Sequence, residues 1–86
     1  MSDHFNPNLQ DAILQAVENQ LANDNPPETK QTYERLLREG HSENNAKLLI
    51  ASVVAVEIFE VVNRREPFNH HRFVQALNRL PKIPKA

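Results

Sequence analysis

Between residues 42 and 65 the chain reads SENNAKLLIASVVAVEIFEVVNRR, and within 48–56 Ser52 is the one residue that is not apolar. A helix with that composition is greasy on every side. Such a helix is either buried by its neighbours or lies in a membrane. The run is far shorter than the ~20 apolar residues a span requires, and Glu57 and Glu60 end it. The pattern therefore predicts a central core helix over about 43–64, with the rest of the chain wrapped around it.

What wraps it must be short, since the sequence has 86 residues, a size at which one core is barely sufficient. We expect a single helical domain over 1–86, with 1–5 and 82–86 as flexible tails. The prolines and the single glycine punctuate the chain into four helices. Asn6 before Pro7 reads as an N-cap with proline at the first helical position. The first helix then runs to about Asn23, with Leu9, Ile13, Leu14, Ala16, Val17 and Leu21 on one broad face. Gln20 breaks that face. Asn25-Pro26-Pro27-Glu28 reads as a second N-terminus with a capping-box arrangement, in which Asn25 caps and Pro26 is the first helical residue. Tyr33, Leu36 and Leu37 form its apolar stripe, and Gly40 supplies a left-handed residue to close it. Ser42 caps the central helix, giving a tight helical hairpin. Asn69 opens the last helix, with Phe68 and Phe73 at the positions of a hydrophobic staple. Phe73, Leu77 and Leu80 are its buried stripe, and Pro81 ends it. No strand alternation or repeat is present. The predicted fold class is all-α, a small four-helix bundle-like domain around the central apolar helix.

The net charge of −1 hides an asymmetry: residues 1–63 carry four basic and ten acidic side chains, whereas 64–86 carry six basic against Glu66 alone. The six are Arg64, Arg65, Arg72, Arg79, Lys82 and Lys85. This basic third is a candidate patch for nucleic acid or an acidic partner. The preferred reading is a solvated surface that complements the acidic remainder. Helix-turn-helix DNA reading through the Gly40 turn is disfavoured, because the helix that follows presents Leu48, Leu49 and Ile50 where base-reading polar side chains belong.

Catalytic chemistry is poorly served. There is no cysteine, hence neither a disulfide nor a thiolate ligand, and one glycine cannot build a phosphate loop. Ser42 is committed to capping, and Ser52 can hydrogen-bond the preceding turn of its own helix. His70 and His71 point about 100° apart on a helix, while His4 and His41 fall in a tail and a turn, so no common metal point is implied. We expect no catalytic, cofactor or metal residues. The informative polar residues are Gln20 and Glu57, both on faces expected to meet. A carboxylate at the core edge needs a donor or has its pKa raised, and Gln20 is the candidate partner of Glu57.

Asn6-Pro7-x-Leu9, Glu18-x-Gln20, Asp24-x-Pro26, Leu37, Gly40, Ala46 and Glu57, in that order and spacing, resemble an uncharacterised bacterial family of small helical domains with an NPxLHxxxHxxxExQ-type pattern. The resemblance covers roughly 6–80 and implies an all-α fold with no assigned activity. In that pattern two histidines and a glutamate form one helix ridge, suitable for a metal in a bundle. A third histidine follows on the third helix. This chain has Gln10, Leu14 and Leu48 at the histidine positions and keeps Glu18.

The function expected is therefore a non-enzymatic protein-interaction or regulatory domain with an unidentified protein partner, an enzyme being the less favoured class. The alternatives are a metal-dependent enzyme of the resembled family with substituted ligands, or an accessory nucleic-acid binder using the basic third. The N-terminus, MSDHFNPNLQ, has neither the basic flank nor the apolar core of a secretory signal. A cytoplasmic protein without membrane attachment is the default. Three short amphipathic helices are not expected to cover every side of an apolar one, and large uncovered patches are unusual on monomers. A homodimer burying part of helix one or three is accordingly expected.

Overall fold

The computed structural model describes residues 7–83, and of Pro7 and Asn8 only the backbone. The Asn6 cap, His4, Lys85 and most of the two tails lie outside the described residues. Four helices are present and no strand among the described residues: α1 (Pro7–Asn23), α2 (Pro27–Arg38), α3 (Glu43–Arg64) and α4 (His70–Arg79). Helix α3 runs through the middle with α1, α2 and α4 all packed on it, and α2 also touches α1 and α4. Every helix contributes to one core. Val17, Leu36, Ala46, Ile50, Val53, Phe73 and Leu77 are each at most 1% exposed. No helix among the described residues is long and apolar enough to cross a membrane.

The helix ends follow local chemistry. Asp24, at φ 53°, turns the chain out of α1, and the Asn25 N–H donates to the Gln20 carbonyl at 3.1 Å. Gly40, at φ 102°, closes α2. The Gly40 N–H reaches the Leu37 carbonyl and the His41 N–H the Leu36 carbonyl, both at 3.0 Å, which is the Schellman pairing that a left-handed residue permits. Ser42 then caps α3 by accepting from the Asn45 N–H at 3.0 Å. At the start of α4 the Asn69 side chain accepts from the Arg72 N–H at 2.9 Å, and the Phe68 and Phe73 rings meet at 5.4 Å, forming the expected staple.

The start of α2 corrects the expectation. Its N-cap is Pro26, not Asn25, it makes no side-chain cap bond, and Pro27 is the first helical residue. The reason is steric. A residue before proline is driven out of the α region, so Pro26 takes φ −75°, ψ 152° and the helix waits one residue. Glu28 is thereby moved off the capping-box position. The buried face of α2 is also rotated from the expected one, with Thr29, Thr32 and Leu36 buried and Tyr33 and Leu37 only half-buried. Thr29 is tolerated inside because its hydroxyl donates to Gln20 Oε1 at 2.9 Å. That contact accounts for the glutamine interrupting the apolar face of α1.

Sequence reading had no signal for Arg35. Its guanidinium donates to the carbonyls of Leu77 and Leu80, each at 3.0 Å, and to Glu39 Oε2 at 3.0 Å. The last carbonyls of a helix lack intrahelical donors, and a cation there also complements the helix dipole. Arg35→Met, which keeps the apolar stem, should therefore lower stability by about 1–3 kcal/mol and speed amide exchange in the last turn of α4. Arg38→Met should stay within about 0.5 kcal/mol of the native chain. Chemical denaturation with residue-resolved exchange reads both.

Candidate functional site

Helices α1 and α4 lie on either side of α3, and among the described residues they make no backbone approach to each other. The gap between them leaves the C-terminal half of α3 open. Val54, Ile58 and Val61 floor a groove of about 330 Å³, with Ala16 and Gln20 on the α1 side and Phe68 and Phe73 on the other. Val62 also lines the groove and is 68% exposed; Ile58 and Phe68 are 43% and 53% exposed, and Phe59, outside the groove, is 51% exposed. Ile58, Val62 and Phe68 thus share one exposed apolar surface, with Phe59 one turn from Val62 on α3. Leu48, nearer the start of α3, is also exposed.

One wall of the groove is polar. Glu57, 6% exposed, accepts from Arg72 Nε at 3.0 Å, from an Arg72 terminal nitrogen at 2.8 Å and from the Asn69 N–H at 3.1 Å. In a capping box the N-cap N–H is taken by a glutamate three residues on. Here that position is Arg72, and the carboxylate comes instead from α3. The Arg72 hydrogen bonds hold Glu57 below the usual carboxylate range, the Asn69 N–H and the guanidinium charge act the same way, and burial opposes them. Gln20 lines the same groove, but its Oε1 takes the Thr29 hydroxyl. The donors to Glu57 are thus Arg72 and Asn69 rather than the anticipated Gln20.

That pairing also changes the basic third. Arg72 is committed to Glu57, with Glu66 at 3.7 Å from its other terminal nitrogen, and Arg64 bonds Glu60 at 2.6 Å. Arg65 ends α3 at φ 55°; Arg65, Arg79 and Lys82 are exposed. Arg72 and Arg79 border a small cleft of about 170 Å³ together with Glu57 and Glu60. Of the arginines in this third, Arg64 and Arg72 are thus paired with carboxylates.

At the positions where the resembled pattern has histidine, Gln10 and Leu48 are exposed and Leu14 is half-buried. The Glu18 carboxylate holds the Lys47 ammonium at 2.8 Å and raises its pKa, against a smaller opposing effect of burial. Lys47 also sits 6.0 Å above the Tyr33 ring. Among the described residues no three His, Asp or Glu side chains gather closely enough to hold a metal ion. His70 approaches Glu28 at 3.5 Å, and His41 borders a second groove of about 280 Å³ with Asn45, Leu48, Leu49 and Ile83. Ser52 donates to the Leu49 carbonyl at 2.6 Å.

Fold and surface together define a small all-α domain with an open apolar face on its central helix. The model of DUF1841, a domain of unknown function, matches residues 1–79, and the chain belongs to that family. Comparison with the curated proteins and with the solved structures gives no match.

The Glu57 site makes a pH-dependent prediction. A carboxylate whose folded pKa lies below its unfolded value contributes stability that is full above the unfolded pKa and is lost as pH falls through the folded one. Glu57→Gln should therefore be clearly less stable than the native chain at about pH 7, and the difference should shrink below roughly pH 4, where the unfolded carboxylate protonates. Urea denaturation at both pH values measures the gap. A gap of constant size would show that the ionised pair is not its source.

Proposed function

We propose that this domain is a non-enzymatic protein-interaction module that docks through the exposed apolar surface of α3. The observation that carries the reading is that Ile58, Phe59 and Val62 of α3 and Phe68 just after it are each 43–68% exposed. Interface cores are depleted in charge and enriched in aromatic side chains, and this surface has both properties. The groove beside it, about 330 Å³, is at the small end for a ligand cavity and large enough to receive an apolar side chain from a partner. The hydroxyls of Ser42 and Ser52 are engaged in a helix cap and a backbone hydrogen bond, which supports a binding role over nucleophilic catalysis.

The test places a photo-crosslinking phenylalanine analogue at Phe59 in cells that make the protein, with the same analogue at exposed Lys30 on α2 as a reference. Irradiation should give a discrete adduct at Phe59 and none at Lys30. Adding Val62→Glu should remove the adduct while changing stability by no more than about 0.5 kcal/mol, as for other exposed positions. Equal labelling at the two positions, or none at Phe59, would overturn the reading.

A further inference from the structure

We infer that the partner of α3 is a second copy of this chain, its α3 packed antiparallel on the first about a two-fold axis near Val54 and Ala55. The inference rests on the reading of α3 as a docking surface and adds the occupant. Its starting point is a stripe that the core does not use. Leu48, Ser52, Ala55, Phe59 and Val62 are spaced alternately four and three residues apart, the spacing of a seam between two helices. At 100° per residue they fall in an arc of about 80°, on the side of α3 opposite the buried Ala46, Ile50, Val53 and Glu57. Leu48, Phe59 and Val62 are 43–68% exposed, and Ser52 and Ala55 are half-buried. The stripe carries no charge.

Its pattern suits a two-fold partner. The small residues, Ser52 and Ala55, lie at the centre, where antiparallel helices approach most closely, and the larger ones lie towards the ends. Ser52 does not oppose burial, because its hydroxyl already donates to the Leu49 carbonyl within its own helix; a polar group costs stability on burial when it lacks such a partner. Asn45 and Asn63 bound the stripe. They are 18 residues apart, about five helical turns, so both lie on the same side of it. A two-fold axis midway between them brings Asn45 of one copy level with Asn63 of the other, where each amide can both donate and accept. Antiparallel packing also sets the two helix dipoles favourably.

With Ile58 beside the stripe, the exposed side chains amount to about 400 Å² per copy, or about 800 Å² for a pair, below the roughly 1,000 Å² of a stable specific interface, so the dimer is a weak one.

The chain has no cysteine, so single-cysteine variants of the full chain report the geometry cleanly. Under mild oxidation Ala55→Cys should form a covalent dimer at least tenfold faster than Gln31→Cys, which is on the exposed surface of α2. A mixture of Asn45→Cys and Asn63→Cys should cross-link as the mixed pair, and neither variant should cross-link with itself. Sedimentation equilibrium of the native chain from roughly 1 to 500 µM should show monomer passing to dimer, with Val62→Glu weakening association at least tenfold. A single monomeric species throughout would overturn the inference and point to residues 1–6 or 84–86, or a different protein, as the cover. Self-linking of Asn45→Cys or of Asn63→Cys would overturn the antiparallel arrangement. A photo-adduct at Phe59 containing another protein, with the purified chain monomeric, would leave the docking surface standing and remove the second copy.

Discussion

The carboxylate of Glu57 is the point on which the arrangement of the last helix depends. It is buried on the central helix and lines a groove with Val54, Val61 and Phe73, a place where an unpaired charge would be costly. Three N–H groups from the start of α4 meet it: one from the Asn69 backbone and two from the Arg72 guanidinium. The same contact satisfies the buried charge, supplies an orphan donor of the new helix with an acceptor and sets the N-terminus of α4 against α3. Arg35 acts at the other end, where its guanidinium takes the final carbonyls of α4. A ten-residue helix, too short to be stable alone, is thus held at both ends by charged side chains from two other helices and along its length by Phe73 and Leu77.

Holding α4 in that position has a geometric consequence. Among the described residues it makes no backbone approach to α1, and a groove lies between Ala16 and Gln20 of α1 and Phe73 of α4. With the three helices present, the core is complete around Ala46, Ile50 and Val53 while the opposite side of the same helix stays apolar and exposed. Exposed apolar surface and a finished core are compatible because α3 is greasy all round and only some of its sides are needed for folding.

Much of the fold was legible in the chain. The four helices, the Ser42 and Asn69 caps, the left-handed closure at Gly40 and the Phe68–Phe73 staple all depend on residues within a few positions of one another. Their chemistry is local and can be read from order and spacing. The start of α2 was misplaced by one residue because two successive prolines compete for the first helical position, and the restriction that Pro27 places on Pro26 decides between them. The burial of Thr29 and Thr32 was missed because threonine reads as polar until a partner for its hydroxyl, here Gln20, is brought from another helix.

The candidate site divides in the same way. That residues 48–56 would form a central apolar helix, and that Glu57 and Gln20 were polar residues in apolar company, follows from the sequence, because hydrophobic periodicity is a property of one helix. Which donor Glu57 finds was decided by tertiary structure: Arg72 is fifteen residues away, and its position depends on how the turn after α3 folds back. That contact also drew an arginine out of the basic third and into the protein's own interior edge. The sequence by itself determined that α3 is apolar on every side, because that is a property of one helix's composition. Only the packing decided which side is left over, because that depends on the angles at which α1 and α4 cross α3, and no residue encodes a crossing angle alone.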